Sequence, residues 1–123
     1  MFKIDGNKVN EVSEVTTNGQ KATIGTFFKW FHSINLSGNV VTVVGVPLPI
    51  TVTLNDWEGN LISRDEDIIV SAYGKDCQVE VIVSLANGQA TYNFVSEIPG
   101  KFKLFAATSY PCNVGALEVI VNA

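Results

Sequence analysis

The feature that most constrains the fold is an alternation of apolar and polar residues that recurs in four segments of the chain's second half. A period of two residues puts apolar side chains on one face of a strand and polar side chains on the other. Helical spacing of apolar residues is almost absent, so the chain is predicted to be all-β. The apolar members of the four segments are Val79, Val81, Val83 and Leu85; Ala90, Tyr92 and Phe94; Phe102, Leu104 and Ala106; and Leu117, Val119 and Val121.

Turn-forming residues separate these segments at short intervals. Gly and Asn tolerate the positive φ that tight turns require, and one or both occur at each interruption. Many short strands with frequent turns predict a sandwich or a barrel. Asn87-Gly88 is the strongest signal and predicts a β-hairpin.

The two prolines of Val46-Pro47-Leu48-Pro49 predict an edge, a strand switch or a short linker, because proline lacks a backbone donor.

Length and composition favour one domain with a packed core. The chain has 123 residues, of which 46% are hydrophobic and 16% charged, which is too little charge for a disordered chain. A formal net charge of −4 would repel a nucleic-acid backbone, so we expect no nucleic-acid partner. The apolar runs are shorter than the roughly twenty residues that a membrane helix needs, so no membrane insertion is expected.

Three segments resemble one family. Residues 50–62, 87–94 and 96–106 are similar, in this order, to an opening strand and turn, an NGxAT strand and a following aGxYxLxA strand. These motifs are typical of bacterial immunoglobulin-like domains of the invasin and intimin type, also called Big-1-like. The resemblance implies an immunoglobulin-like antiparallel β-sandwich over residues 39–123. Residues 1–38 are then expected to form an N-terminal β extension, with additional strands or a hairpin, that packs on or projects from the same domain.

Chemically reactive residues are few, and none forms a pattern typical of catalysis. Cys77 and Cys112 could form a disulfide, although two free thiols are favoured because the N-terminus lacks a secretory signal pattern. His32 is expected to be a surface or packing residue. The acidic turn at residues 56–60 and the acidic run at residues 65–67 could bind calcium, but neither matches an EF-hand loop. We therefore predict no catalytic, cofactor-binding or metal site, and no enzymatic activity.

An aromatic run, Phe27-Phe28-Lys29-Trp30-Phe31-His32, is the most unusual segment of the chain. Strict alternation would direct Phe28 and Trp30 into the core and Phe27 and Phe31 to the opposite face. One interpretation is that this chain buries both sets of rings itself. The alternative is an interaction surface of Phe27, Phe31, Trp30 and Trp57 for another protein, since exposed aromatic patches mark contact sites. A third is that Trp30 or Trp57 stacks on a sugar.

These observations favour a non-catalytic structural or interaction module. The favoured hypothesis is an immunoglobulin-like protein of a phage or prophage virion, tail- or capsid-associated, that acts through protein–protein contacts or self-assembly. If the chain is complete, we expect it in the virion or in the cytoplasm where it is made. The main alternative is a spacer or adhesive domain excised from a bacterial cell-surface protein. A carbohydrate-binding module with a glycan partner is the third hypothesis.

Overall fold

In the computed structural model, which describes residues 1–75 and 77–123, the chain forms eleven β-strands. That part of the chain contains no helix, and so no helix long and apolar enough to cross a membrane. The strands are β1 Phe2–Asp5, β2 Lys8–Thr17, β3 Gln20–Trp30, β4 His32–Gly38, β5 Val41–Val43, β6 Leu48–Asp56, β7 Glu66–Tyr73, β8 Gln78–Leu85, β9 Gln89–Phe94, β10 Gly100–Ala107 and β11 Gly115–Asn122.

Two sheets form an immunoglobulin-like β-sandwich, which confirms the predicted fold. One sheet has the order β4-β6-β9 and the other has the order β5-β11-β10-β7-β8. Neighbouring strands run antiparallel, except that β5 runs parallel to β11. This order matches strands A, B and E of immunoglobulin topology on one side and G, F and C on the other.

The core lies between the two sheets and consists of the alternating residues of their inner faces. Leu48, Ile50, Val52 and Leu54 of β6 are all buried. The predicted apolar faces of β9, β10 and β11 likewise face the core, with their residues buried or half-buried. On β8, Leu85 is buried, but Val79 is exposed because β8 is an edge strand paired with β7 alone.

The segment between β5 and β6 is a strand switch, one of the three roles predicted for it. β5 belongs to the five-stranded sheet and β6 to the three-stranded sheet, so the chain crosses the sandwich over residues 44–47. Gly45 has a φ of 76°, and its amide donates to the carbonyl of Ser96. The positive φ redirects the chain, and Pro47 then leads it into β6.

The Asn87-Gly88 turn forms and closes one antiparallel bridge between Ala86 and Gln89, but β8 and β9 do not pair beyond it as the predicted hairpin requires. Asn87 and Gly88 both have positive φ, 54° and 79°, as a tight turn requires. β8 nevertheless belongs to the five-stranded sheet and β9 to the three-stranded sheet. The turn is bonded to the segment after β6: Gly88 donates to the carbonyl of Arg64, and the Asn87 amide donates to Asp65. These bonds hold the turn across the end of the sandwich, so the two strands diverge.

Residues 2–30 form a separate antiparallel sheet, β1-β2-β3, which we call the N-terminal arm. Within the described residues, none of its strands pairs with a strand of the sandwich. Turns with positive φ at Gly6 and at Asn18-Gly19 close its two hairpins. Sheet membership changes at Phe31 rather than at the predicted boundary of residue 38, because β4 pairs with β6 along its whole length.

Candidate functional site

A β-bulge in β3 determines the direction of its aromatic side chains. Val9 of β2 pairs with Lys29, and the next residue, Asn10, pairs with Phe27. Phe28 is therefore an extra residue without a partner of its own on β2. An extra residue shifts the alternation of side chains by one position on either side of it. Side chains after Phe28 therefore point to the face opposite to the one that uninterrupted alternation would give.

The bulge makes the expectation from strict alternation wrong. Phe27 and Trp30 lie on the same face, with their ring centroids 5.1 Å apart in a T-shaped arrangement. Neither Phe28 nor Trp30 enters the core: they are 40% and 49% exposed. Phe31, expected to face outward with Phe27, is half-buried at the entrance to β4. The interpretation that this chain buries both sets of rings is therefore also wrong.

On the opposite face of the arm, Phe28 and Lys29 attach the arm to the sandwich. The Phe28 ring packs edge-on against Tyr110, with centroids 5.4 Å apart, and Lys29 Nζ lies 4.8 Å from the centre of the Tyr110 ring. Lys29 Nζ is also 3.3 Å from a carboxylate oxygen of Glu66. Arg64 donates to the same oxygen at 3.0 Å and to the Tyr110 hydroxyl at 3.3 Å. We call these five residues the anchor cluster.

The anchor cluster is electrostatically matched because one carboxylate lies between two cations. The Glu66 side chain is only 12% exposed, so the ion pairs with Lys29 and Arg64 compensate for its lost hydration. Burial, followed by the nearby Glu66 charge, raises the pKa of Tyr110. Tyr110 therefore remains a neutral hydroxyl that accepts from Arg64. The base of the arm is thus fixed by a hydrogen-bonded polar cluster as well as by ring contacts.

His32 lies directly beside the anchor cluster and is fully buried. Its ring packs edge-on against Tyr110, with centroids 5.2 Å apart. Nδ1 is 3.4 Å from the Trp30 carbonyl oxygen, and Nε2 is 3.5 Å from the Thr108 hydroxyl. Burial lowers the pKa of His32 despite the opposing effect of the Trp30 carbonyl. Of the two roles expected for His32, packing is therefore the one observed.

One face of the arm beyond the anchor cluster is uncovered, and it carries exposed apolar residues together with the polar residues Glu11, Ser13 and Thr26. Cross-strand register places Ile4 opposite Val9, Ser13 opposite Ile24 and Val15 opposite Ala22, all on this face. Val9 is fully buried at the base, whereas the residues farther out are exposed. We call this exposed set the apolar arm face; its large residues are Phe2, Ile4, Val15 and Ile24.

The other face of the arm leads into an open groove between the arm and the sandwich. Two indole rings line it, one from the end of β3 and one from the turn after β6. The groove has a volume of about 330 Å³, near the lower end of the roughly 300–1,000 Å³ typical of small-molecule sites. We call it the Trp groove; it is lined by Asn7, Trp30, Asp56, Trp57, Ile62 and Arg64.

The structure therefore brings two residues of the predicted surface together and separates the others. Trp30 and Trp57 line one groove, and Phe27 supports Trp30 from the side. Phe31 donates its amide to the carbonyl of Asn7 and helps to close the base of the arm. Cys77 and Cys112 are free thiols and pack against different parts of the core.

Most of the acidic residues considered for calcium have structural partners. Asp56 accepts from the Glu58 and Asn60 amides and so closes its turn. Asp65 accepts from the Asn87 amide, and Asp67 accepts from the Ser84 hydroxyl. Hydrogen bonds therefore hold the run at residues 65–67 to β8 and to the turn after it. Within residues 1–75 and 77–123, no group of three His, Cys, Asp or Glu side chains is placed to hold a metal ion.

Sequence reasoning missed the apolar arm face and the polar part of the Trp groove. The two turn signals at Gly6 and Asn18-Gly19 could have placed β1, β2 and β3 next to one another. The valines of β2 are three residues apart, at positions 9, 12 and 15, so no alternation reveals its apolar face. Asn7 and Arg64 are far apart in sequence, and no local pattern brings them together.

Comparisons with known proteins support the fold. No family model and no curated protein matches the chain. The chain is similar to the PKD domain of a peptidase from a Thermoplasmatales archaeon, with a TM-score of 0.51 and 18% identity over 75% of this chain and 96% of that one. A beta-glucosidase from Listeria innocua in complex with glucose gives a TM-score of 0.48 and 18% identity, over 77% of this chain and 17% of that one. At such identity, the first likeness shows the immunoglobulin-like fold alone.

Proposed function

We propose that this protein is a non-catalytic immunoglobulin-like module that binds other protein subunits through its N-terminal arm. The observation that carries the proposal is the apolar arm face, where Ile4 and Ile24 are 51% and 52% exposed. Exposed apolar side chains gathered on one face of a sheet mark interaction sites, and a partner at this face must also accommodate Glu11 and Thr26. The arm projects from the sandwich, so a partner can reach this face.

A second copy of the same chain is the partner that fits this face most simply. Two apolar sheet faces can pack against each other about 10 Å apart, as in a β-sandwich. Such a contact is self-complementary, because the same residues lie on both sides of a two-fold axis. The anchor cluster holds each arm at a fixed position on its own sandwich, which reduces the entropy lost on association.

The setting that we propose is the virion of a phage or prophage, where arms of neighbouring subunits would join the modules. The free thiols Cys77 and Cys112 favour assembly in a reducing compartment over secretion. The resemblance to invasin- and intimin-type domains supports the same class of module. In this proposal residues 39–123 and β4 are the scaffold, and the arm is the contact element.

Neighbouring reading frames separate this setting from a spacer or adhesive domain of a bacterial surface protein. Capsid or tail genes beside this one would support the virion. A continuous upstream frame that encodes a secretory signal and repeated immunoglobulin-like domains would overturn it in favour of the surface protein.

Association through the apolar arm face is tested by two neighbouring substitutions on opposite faces of β3. Ile24→Glu places a charge within the proposed contact, whereas Thr23→Glu places it on the opposite face of the arm, across from Glu14 of β2. Light scattering after size exclusion should find the wild type and Thr23→Glu associated and Ile24→Glu monomeric. Equal association of all three proteins would contradict the proposed surface.

A further inference from the structure

We infer that the Trp groove is a binding site for a neutral sugar ring, such as a hexopyranose unit of a glycan. This site is distinct from the apolar arm face, which lies on the other side of the arm. The inference depends on three properties of the groove: two aromatic rings, a fixed geometry, and polar groups of both signs at its rim.

The Trp30 ring and the turn that carries Trp57 are held in position before any ligand arrives. The Phe27 ring packs against Trp30 on one side, and Lys8 Nζ lies 5.3 Å from the centre of the Trp30 ring. Trp57 follows Asp56, whose Oδ1 accepts from the Glu58 and Asn60 amides at 2.9 Å each. A preformed aromatic surface loses little conformational entropy on binding. Trp57 is also 60% exposed, so its ring is open to a ligand.

The polar groups of the groove retain unused hydrogen-bonding capacity. Among the described residues, Oδ2 of Asp56 and the side-chain amide of Asn7 have no hydrogen-bond partner. Arg64 uses its Nε and one terminal nitrogen for Glu66 and Tyr110. Because a guanidinium has five N–H donors, others remain for a ligand. The rim therefore offers an acceptor, donors and an amide that can do both.

These features together select the chemistry of the ligand. One carboxylate and one guanidinium at the rim favour a ligand without net charge. A pyranose presents a C–H face that can lie against an indole ring, and its hydroxyls both donate and accept. A proline-rich peptide would also fit aromatic rings. Its proline carbonyls would accept hydrogen bonds from Arg64. Because prolines lack N–H groups, they would leave the Asp56 carboxylate without a donor.

The test is binding of neutral hexose and N-acetylhexosamine oligosaccharides, first on a glycan array and then by titration calorimetry with the best ligand. We expect the wild-type chain to bind, and Trp57→Ala and Trp30→Ala each to weaken binding by about tenfold or more. Asp56→Asn retains Oδ1 for the turn and should weaken binding less. Tyr73→Ala is the matched control, because Tyr73 is an exposed aromatic residue on the five-stranded sheet.

Three results would overturn the inference. One is that the folded wild type binds none of these oligosaccharides. Another is that Trp57→Ala, folded as judged by its circular dichroism spectrum, binds them as well as the wild type does. The third is that a proline-rich peptide binds the groove and no sugar competes with it.

Discussion

His32 lies where the arm meets the sandwich, and we expect it to make the stability of the protein depend on pH. Burial lowers its pKa from 6.5, so the unfolded chain binds a proton more readily than the folded chain does. Arg64 and Lys29 lower this pKa further, while Glu66 opposes them. The stability that His32 contributes is therefore complete above about pH 6.5 and is lost as the pH falls through the lower pKa of the folded state.

This pH dependence is measurable because the chain has only one histidine. We expect the free energy of unfolding in urea to decrease between pH 7.5 and pH 5.0. In His32→Gln, which has no titrating ring, the same decrease should be largely absent. An identical slope in the variant would show that other groups cause the effect.

Gly88 is a position where both backbone conformation and space require glycine. Its φ is 79°, and a Cβ there would overlap the carbonyl oxygen of Ile62. Gly45 has nearly the same φ, 76°, but a Cβ there would meet only the flexible end of Glu97 at 3.7 Å. The two glycines therefore differ mainly in the space around them.

Alanine substitutions at these two glycines separate the cost of a positive φ from the cost of steric overlap with neighbouring atoms. We expect Gly45→Ala to lower the free energy of unfolding by about 1–2 kcal/mol, the usual cost of a left-handed conformation. Gly88→Ala should lower it by about 3 kcal/mol or more, because the Ile62 backbone must also move. Urea denaturation of both variants measures the difference, and equal losses would contradict the tight packing of this turn.

At the scale of elements, the β-bulge at Phe28 gives the arm two different faces. Phe28 packs against Tyr110 on the sandwich side, and Phe27 packs against Trp30 on the groove side. We expect Phe28→Ala to speed amide exchange throughout β1, β2 and β3 by about tenfold, because the arm loses a ring contact with the sandwich. Exchange in β6 and β10 should remain unchanged.

Phe27→Ala provides the control for this prediction. It removes a ring of equal size from the same strand, but on the face away from the anchor cluster. Hydrogen exchange read by mass spectrometry should therefore find the arm of Phe27→Ala as protected as that of the wild type. Equal acceleration in both variants would mean that the anchor cluster does not fix the arm.

The elements also mark how far the sequence predicts this structure. Alternation predicts the buried faces of β9, β10 and β11, because the period of two depends only on neighbouring residues. It fails at Phe28, because a bulge depends on how β3 pairs with β2. It also fails at Asn87-Gly88, where bonds to Arg64 and Asp65 pull the two strands into different sheets. Local pattern gives strands and faces, whereas pairing depends on contacts between distant residues.

For the candidate sites, too, local pattern reveals single residues, whereas their grouping depends on contacts between distant residues. The aromatic run and Trp57 are visible in the sequence, and the structure brings Trp30 and Trp57 to one groove. The polar residues that complete the groove come from positions 7, 56 and 64, which only the docked arm brings together. The apolar arm face likewise arises from the register of three strands, and the valine spacing in β2 conceals it.

At the scale of the whole molecule, a small immunoglobulin-like sandwich carries an arm whose two faces differ in their residues and surroundings. We propose that the apolar arm face meets another subunit; the opposite face forms one wall of the Trp groove. The anchor cluster holds both faces in a fixed position relative to the sandwich. In these two proposals the subunit contact and the ligand contact lie on different faces of the arm and do not overlap.

Sedimentation velocity of the wild-type chain, over protein concentrations from micromolar to near millimolar, tests the central claim most directly. We predict that the sedimentation coefficient rises with concentration as the apolar arm faces pair. We also predict that Ile24→Glu remains at the monomer value throughout this range. A single monomer boundary for the wild type at every concentration would contradict self-association through the arm.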